Sequence, residues 1–116
     1  MFIAGDAAHL NSPKGGMGMN GGIHDAWCLA DLLIEVANGG DPARLDAYEA
    51  RRRPIARDDI VAQADKNRAR MNTTDETERR AYLQSLQETA ADPVKAREFL
   101  LRSSMIDGLR RSEALA

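Results

Sequence analysis

The stretch Gly5–Gly22, GDAAHLNSPKGGMGMNGG, decides how the rest of the chain is read. Glycine stands at positions 5, 15, 16, 18, 21 and 22, with proline at 13, so regular structure is not expected through most of it. Within it, Gly16-Met17-Gly18-Met19-Asn20-Gly21 spells G-x-G-x-x-G, the pattern of a dinucleotide-binding turn. That turn needs a strand running directly into the glycines, then a helix, then a second strand ending in an acid about 20 residues on. MFIA at residues 1–4 precedes, and Asp41 follows Gly21 at the right distance. The context nevertheless fails: Gly5 to Gly15 intervene before the first glycine, and an apolar helical stripe runs to Ala37, leaving no room for a second strand. A phosphate-binding P-loop fits less well, because Lys14 precedes the glycine pair instead of following it.

Outward from this stretch, MFIA is a continuous apolar run of the kind found in strands buried on both faces. No other run in the chain supplies a ladder partner, and a lone strand is not stable. After the glycines a helix is expected from about Gly21, capped by Asn20. Ile23, Ala26, Trp27, Ala30, Leu33, Ile34 and Ala37 recur at helical spacing, which makes Trp27 the expected core anchor. Asn38-Gly39-Gly40 ends that helix. Asp41-Pro42 restarts one with an N-cap and a proline at the first position, turning Leu45 and Tyr48 inward. Pro54 predicts a kink or break near Arg52-Arg53, after which Ile55, Ala56, Ile60, Val61 and Ala64 resume the pattern. Thr74-Asp75 caps a helix to about Ala90, and Asp92-Pro93 starts a last one that Gly108 stops or loosens.

The fold class this gives is mostly α. Four to five helices follow a short N-terminal strand and a glycine-rich loop. Residues 1–22 form the strand-and-loop preface and residues 23–116 the helical region, a single incomplete domain.

Composition narrows the function. A net charge of −2 gives no basic footprint for nucleic acid or an anionic membrane. Aromatic residues make up 4%, so the core is thin. One cysteine, Cys28, excludes an intrachain disulfide and fits a buried inert thiol. With no membrane-length apolar run and no signal-like N-terminus, a cytoplasmic setting is expected. His9 and His24 lack an i+4 partner or a nearby carboxylate constellation, so no metal site is expected and His9 is read as a loop-packing residue. Arg51-Arg52-Arg53 reads first as a solvated helix face, with a phosphate role as the alternative. Met17 and Met19 fit gap-filling in a core and contact with a ligand equally well.

Physical chemistry gives the glycine stretch a ligand-facing reading. Asp6 follows a strand end, where open α/β sheets bind ligands, and its carboxylate accepts hydrogen bonds from hydroxyls. Gly15, Gly16 and Gly18 let backbone approach a flat ligand, and the N–H groups opening the next helix favour negative charge.

GDAAHLNSPKGGMGMNGGIHDAWCLADLL, residues 5–33, resembles the GD-motif region of the FAD-dependent aromatic hydroxylases, the para-hydroxybenzoate hydroxylase-like flavoprotein monooxygenases. LDAYEARRRPIA, Leu45–Ala56, is similar to the helical segment that follows in that family. The likeness covers about half of the chain and is looser from Arg57 onward. It implies that the chain is a C-terminal, FAD-binding segment of an aromatic-ring monooxygenase, a fragment of an α/β FAD-binding fold. It further implies that Asp6 meets the ribityl hydroxyls of FAD and Pro13 lies beside the isoalloxazine ring. Gly16, Met17, Gly18, Met19 and Asn20 would pass along the ring's pyrimidine end. NAD(P)H is the family's reductant. The ADP-binding G-x-G-x-x-G region and the substrate-binding sheet of that family have no counterpart here, and Cys28 and Asp31 stand where Asn and Trp are common. Hence no catalytic residue is assigned, and the isolated chain is expected to be inactive. Two alternatives stay open: a subunit of a split flavoenzyme that needs an N-terminal partner, and a non-enzymatic helical module that homodimerises.

Overall fold

The computed structural model describes residues 1–115; Ala116, the end of the expected helical region, lies outside the described residues. Two short pieces come first, α1 (Asp6–His9) and a 3-10 turn (Pro13–Gly15). The long α2 (Gly18–Ala37) follows, then a 3-10 turn (Pro42–Leu45) and α3 (Asp46–Ile55). A π-helical segment (Ala56–Val61) joins α3 to α4 (Ala62–Asn72). Then come α5 (Glu76–Ala91), α6 (Pro93–Ser103) and α7 (Ile106–Ala114). Because α3, the π segment and α4 are continuous, α1 aside, the helical rods among the described residues number five.

No strand forms among the described residues, and Met1–Ala4 carries no regular structure. The physical reason is the one its composition announced: an apolar strand needs a ladder partner, and this chain supplies none. The segment is instead pinned from the side. Tyr48 Oη donates to the carbonyl of Ile3 at 2.8 Å, and the Phe2 and Tyr48 rings meet edge to face with centroids 6.0 Å apart.

α2 starts three residues earlier than expected. Met17, not Asn20, is its N-cap residue, and no side chain caps it. Asn20 thus lies in the first turn. Its C-terminus follows the sequence: the Asn38 N–H reaches the Ile34 carbonyl and Gly39 takes φ +94°. The aspartate starts hold as read. Asp41 accepts from the Ala43 N–H at 2.9 Å, Asp75 from Thr77 at 2.7 Å, and Asp92 from Val94 at 2.9 Å.

Pro54 does not break the rod at Arg52-Arg53. It sits inside α3, and the irregularity follows it as the π segment, whose wider turns bring Ala56 and Ile60 into the core. The late break also moves. Met105, with φ +64°, separates α6 from α7, while Gly108 lies buried within α7. A methyl group at Gly108 would come 2.8 Å from Asp59 Oδ2 and 3.2 Å from Ile55 Cγ2, so glycine serves close helix packing there.

The core is small. Met17, Ala56, Ile60 and Met105 cluster together, with Leu32, Tyr48, Ile55 and Ala64 also buried. The molecule measures 58 × 30 × 16 Å, and its thinnest dimension is little more than one helix diameter of about 10–12 Å. Neither α5 nor α6 contains a buried residue.

The orientation of α2 reverses the expectation. Its buried residues are Gly21, Asp25 and Leu32, whereas Trp27 is 71% exposed and Ile23, Leu33 and Ile34 are exposed with it. Trp27 is therefore not a core anchor. The face packed against α3 and the π segment is the one with glycine and a carboxylate on it. Gly21 admits Ile60, whose Cδ1 a methyl group at position 21 would overlap. Asp25 is held there by charge, not by hydrophobic burial.

Candidate functional site: a glycine loop clamped over an open helix N-terminus

The residues expected to face a cofactor are placed by three elements. Asp6 opens α1 after Gly5, whose φ of +61° only glycine adopts without strain. Pro13 opens the 3-10 turn, which rests on α4: a methyl group at Gly15 would lie 3.1 Å from the Ala64 Cα. Lys14 Nζ adds a 2.7 Å bond to Asn72 Oδ1. Gly16 ends that turn with φ +65° and is exposed. Gly18, Met19 and Asn20 form the first turn of α2.

Of these, Asp6, Pro13, Gly16, Met19 and Asn20 are exposed, and Gly18 is half-buried with its α-carbon toward Asn11 Oδ1. Met17 is not exposed. It is 8% accessible and packs with Ala56, Ile60 and Met105, so of the two readings open for it the core one holds. Met19 is 76% exposed.

The first backbone bond of α2 is made by the Gly21 N–H to the Met17 carbonyl at 2.8 Å. The N–H groups of Gly18, Met19 and Asn20 precede it, so they are open donors at the positive end of a helix of 20 residues. The Asp6 carboxylate makes no hydrogen bond among the described residues. Open amides and a free carboxylate on neighbouring elements suit a ligand that carries both hydroxyls and negative charge. FAD has both, and the residues present fit it.

Behind this surface lies a buried network that the sequence reading missed. Asp25, 1% exposed, accepts from the Gly5 N–H at 3.0 Å, pairs with His9 Nε2 at 2.6 Å and accepts from Arg52 Nε at 2.8 Å. His9 therefore does have a carboxylate partner, and it packs in the interior instead of merely filling a loop. Arg52 is 3% exposed, so the middle arginine of the triplet is not on a solvated face, although Arg53 is exposed and pairs with Glu49 at 2.6 Å. Both Nη nitrogens of Arg52 and the Nδ1 of His9 are buried without a hydrogen-bond partner. A signal for the network was present in the sequence. Gly21, Asp25 and Leu32 make a second stripe on α2, opposite the apolar one.

The network borders a cavity of about 740 Å³ lined by Phe2, Ile3, His9, Asp25, Tyr48 and Arg52 among others. Burial pushes the Tyr48 phenol up to about 12, and the Asp25 carboxylate adds to the shift. His24 moves the other way: burial holds its imidazole below the ordinary value, helped by the Arg52 charge and opposed by Asp25. No helix among the described residues is long and apolar enough to cross a membrane. No group of three or more His, Cys, Asp or Glu side chains placed to hold a metal ion occurs among them.

Comparison with known proteins places the chain among monooxygenase relatives. The chain is 36% identical to a para-nitrophenol 4-monooxygenase of Pseudomonas sp. (strain WBC-3) over 111 residues, covering 95% of this chain and 28% of that protein. It is 49% identical to a rifampicin monooxygenase of Rhodococcus hoagii over 59 residues, 50% of this chain and 12% of the relative. It is 47% identical to a pentachlorophenol 4-monooxygenase of Sphingobium chlorophenolicum over 57 residues, 48% of this chain and 11% of the relative. The chain thus spans about a quarter or less of the length of these curated relatives. No solved structure matches it significantly. A family model described as the FAD binding domain matches residues 1–64, which hold the glycine loop, the open N-terminus of α2 and the Asp25 network: the chain belongs to the FAD binding domain family.

Proposed function

We propose that this chain is the flavin-ring-facing segment of an aromatic-ring monooxygenase that uses NAD(P)H as reductant. The observation that carries the reading is the uncapped N-terminus of α2, with the open N–H groups of Gly18, Met19 and Asn20, in a chain of this family. The names of the relatives support the reaction class, since each is a monooxygenase and two act on substituted phenols. FAD, when bound, supplies the redox chemistry. The chain's own residues bind and orient. Asp6 accepts hydrogen bonds from ribityl hydroxyls. The first-turn amides of α2 face the pyrimidine end of the ring, where the helix dipole favours negative charge. Pro13 and Gly16 lie along the ring, and Met17 supports the loop from the core side. No residue of this segment acts as a catalytic acid or base in this reading.

Alone, the 116-residue chain does not retain FAD tightly and does not turn over an aromatic substrate, because nothing in it is assigned to the adenine and pyrophosphate. A polypeptide carrying those sites completes it, in a cytoplasmic setting that fits a single unpaired cysteine. The outward apolar stripe of α2, Ile23, Trp27, Leu33 and Ile34, supports the need for such a partner. The same stripe supports a second reading, a helical module that buries it against another copy of itself. Purification of the chain alone and together with an N-terminal flavin-domain polypeptide tests both. A yellow, stoichiometric flavin complex only in the second case is expected. A colourless pair would remove the first reading, and a strict monomer in gel filtration the second.

A further inference from the structure

Asp25 is not a residue expected to touch a cofactor, yet it fixes where one such residue sits. Its two carboxylate oxygens divide their work. Oδ1 accepts from Arg52 Nε at 2.8 Å, whereas Oδ2 holds both the Gly5 N–H at 3.0 Å and His9 Nε2 at 2.6 Å. Gly5 immediately precedes Asp6, and His9 closes the same turn, whose Ala8 and His9 N–H groups return to the Gly5 carbonyl at 2.8 and 2.9 Å. One oxygen therefore grips the Asp6 turn at both ends.

The turn is also pressed onto α2. A methyl group at Gly22 would lie 3.2 Å from the Gly5 Cα, and one at Gly21 would lie 3.4 Å from the His9 ring. Asp25 projects from the same helix, two turns beyond Gly18. A single rigid element thus carries the open amides of Gly18, Met19 and Asn20 and the carboxylate that holds the Asp6 turn.

We propose that Asp25 is a positioning residue that sets the Asp6 carboxylate in register with the open N–H groups of α2, so that one ligand meets both. The inference rests on the flavin reading of Asp6. Loss of the Oδ2 acceptor frees the turn while leaving the helix N-terminus intact.

Asp25→Asn alone leaves the Arg52 charge buried without its counter-ion and can unfold the chain. The decisive variant is Asp25→Leu combined with Arg52→Met, since replacing a buried ion pair by apolar side chains of similar volume is often neutral or stabilising. Amide hydrogen exchange and a titration with millimolar FAD, both followed by NMR on the 116-residue chain, are the measurements. In the folded double variant, exchange at the Gly5 amide is expected to accelerate about tenfold or more, as loss of a bond to a charged acceptor implies. FAD-induced shifts are expected to persist at Gly18–Asn20 and to disappear at Asp6. A folded double variant with wild-type protection at Gly5 and wild-type shifts at Asp6 overturns the proposal. Should that variant not fold, Asp25→Glu keeps a carboxylate for Arg52 and shifts the acceptor away from the Gly5 N–H. Loss of the Asp6 shift there supports the proposal, and its retention refutes it. If the wild-type chain shows no FAD shift at Asp6, the Gly5 exchange rate alone decides whether Asp25 clamps the turn, and the flavin reading is decided by the partnered complex.

Discussion

Asp25 shows how much one buried carboxylate organises. Three donors converge on it from α1, α3 and the residue before α1, and none of these contacts is local in sequence. Removing its charge leaves a buried guanidinium uncompensated. Asp25→Asn is therefore expected to destabilise the chain by about 3–5 kcal/mol, read as a lower midpoint in urea unfolding. Tyr48 provides a gentler test. Its phenol is buried and donates to the Ile3 carbonyl, so Tyr48→Phe is expected to cost about 1 kcal/mol and to loosen Met1–Ala4. The pH dependence has a definite sign. The folded-state value of about 12 exceeds the ordinary 10, so the fold favours the neutral phenol. The stability this provides is full below pH 10 and is lost as pH rises from 10 through 12. Unfolding midpoints in that window should fall more steeply for wild type than for Tyr48→Phe. His24 acts at the other end. With its value lowered, neutral imidazole is favoured in the fold, and its contribution is lost as pH drops below the ordinary 6.5.

At the scale of elements, contact between α2 and the rod below it depends on glycine. Gly21 lies against Ile60, which is fully buried and cannot turn aside. Gly21→Ala gains about 1 kcal/mol of helix propensity but is expected to lose about 1–3 kcal/mol to overpacking, with a net loss of stability. Ile60→Val removes the atom that clashes. Its cost measured by chemical denaturation should be smaller in the Gly21→Ala background than in wild type, a coupling a double-mutant cycle reads directly. Gly108→Ala probes the other close approach. It crowds Asp59 Oδ2, which also pairs with Arg111, so both the packing of α7 on α3 and that ion pair should weaken. The residue patterns foretold the starts of α5, α6 and the 3-10 turn before α3, because an aspartate whose carboxylate accepts from the N–H two residues on is a local matter. They misplaced the start of α2, because Met17 is drawn into the core by Ala56, Ile60 and Met105, and that pull extends the helix back to Gly18.

The whole molecule is a flat assembly whose order is concentrated in α2, α3 and the π segment. The α5–α6 hairpin contains no buried residue, and Leu83, Val94, Phe99 and Leu100 are exposed. Local opening there needs little loss of apolar burial. Amides of α5 and α6 are expected to exchange at lower free energy than those of α2 and α3, measurable by native-state hydrogen exchange. Equal protection across all helices would contradict this picture. The outward stripe of α2 belongs to the same scale. Periodicity identified Ile23, Trp27, Leu33 and Ile34 as one face, correctly, but periodicity cannot say which of two faces meets the rest of the chain.

The sequence by itself determined the helical character, the aspartate-capped starts, the glycine C-terminus of α2 and the resemblance to the FAD-binding family, because propensity, capping and motif spacing act over a few residues. Only the tertiary structure decided that α2 packs through Gly21, Asp25 and Leu32 and leaves Trp27 outside. It alone brought His9 and Arg52 to Asp25, from 16 and 27 residues away. The reason is physical: a charged network is bound by convergence of distant donors in a site closed to water, and no local pattern of hydrophobicity encodes that convergence.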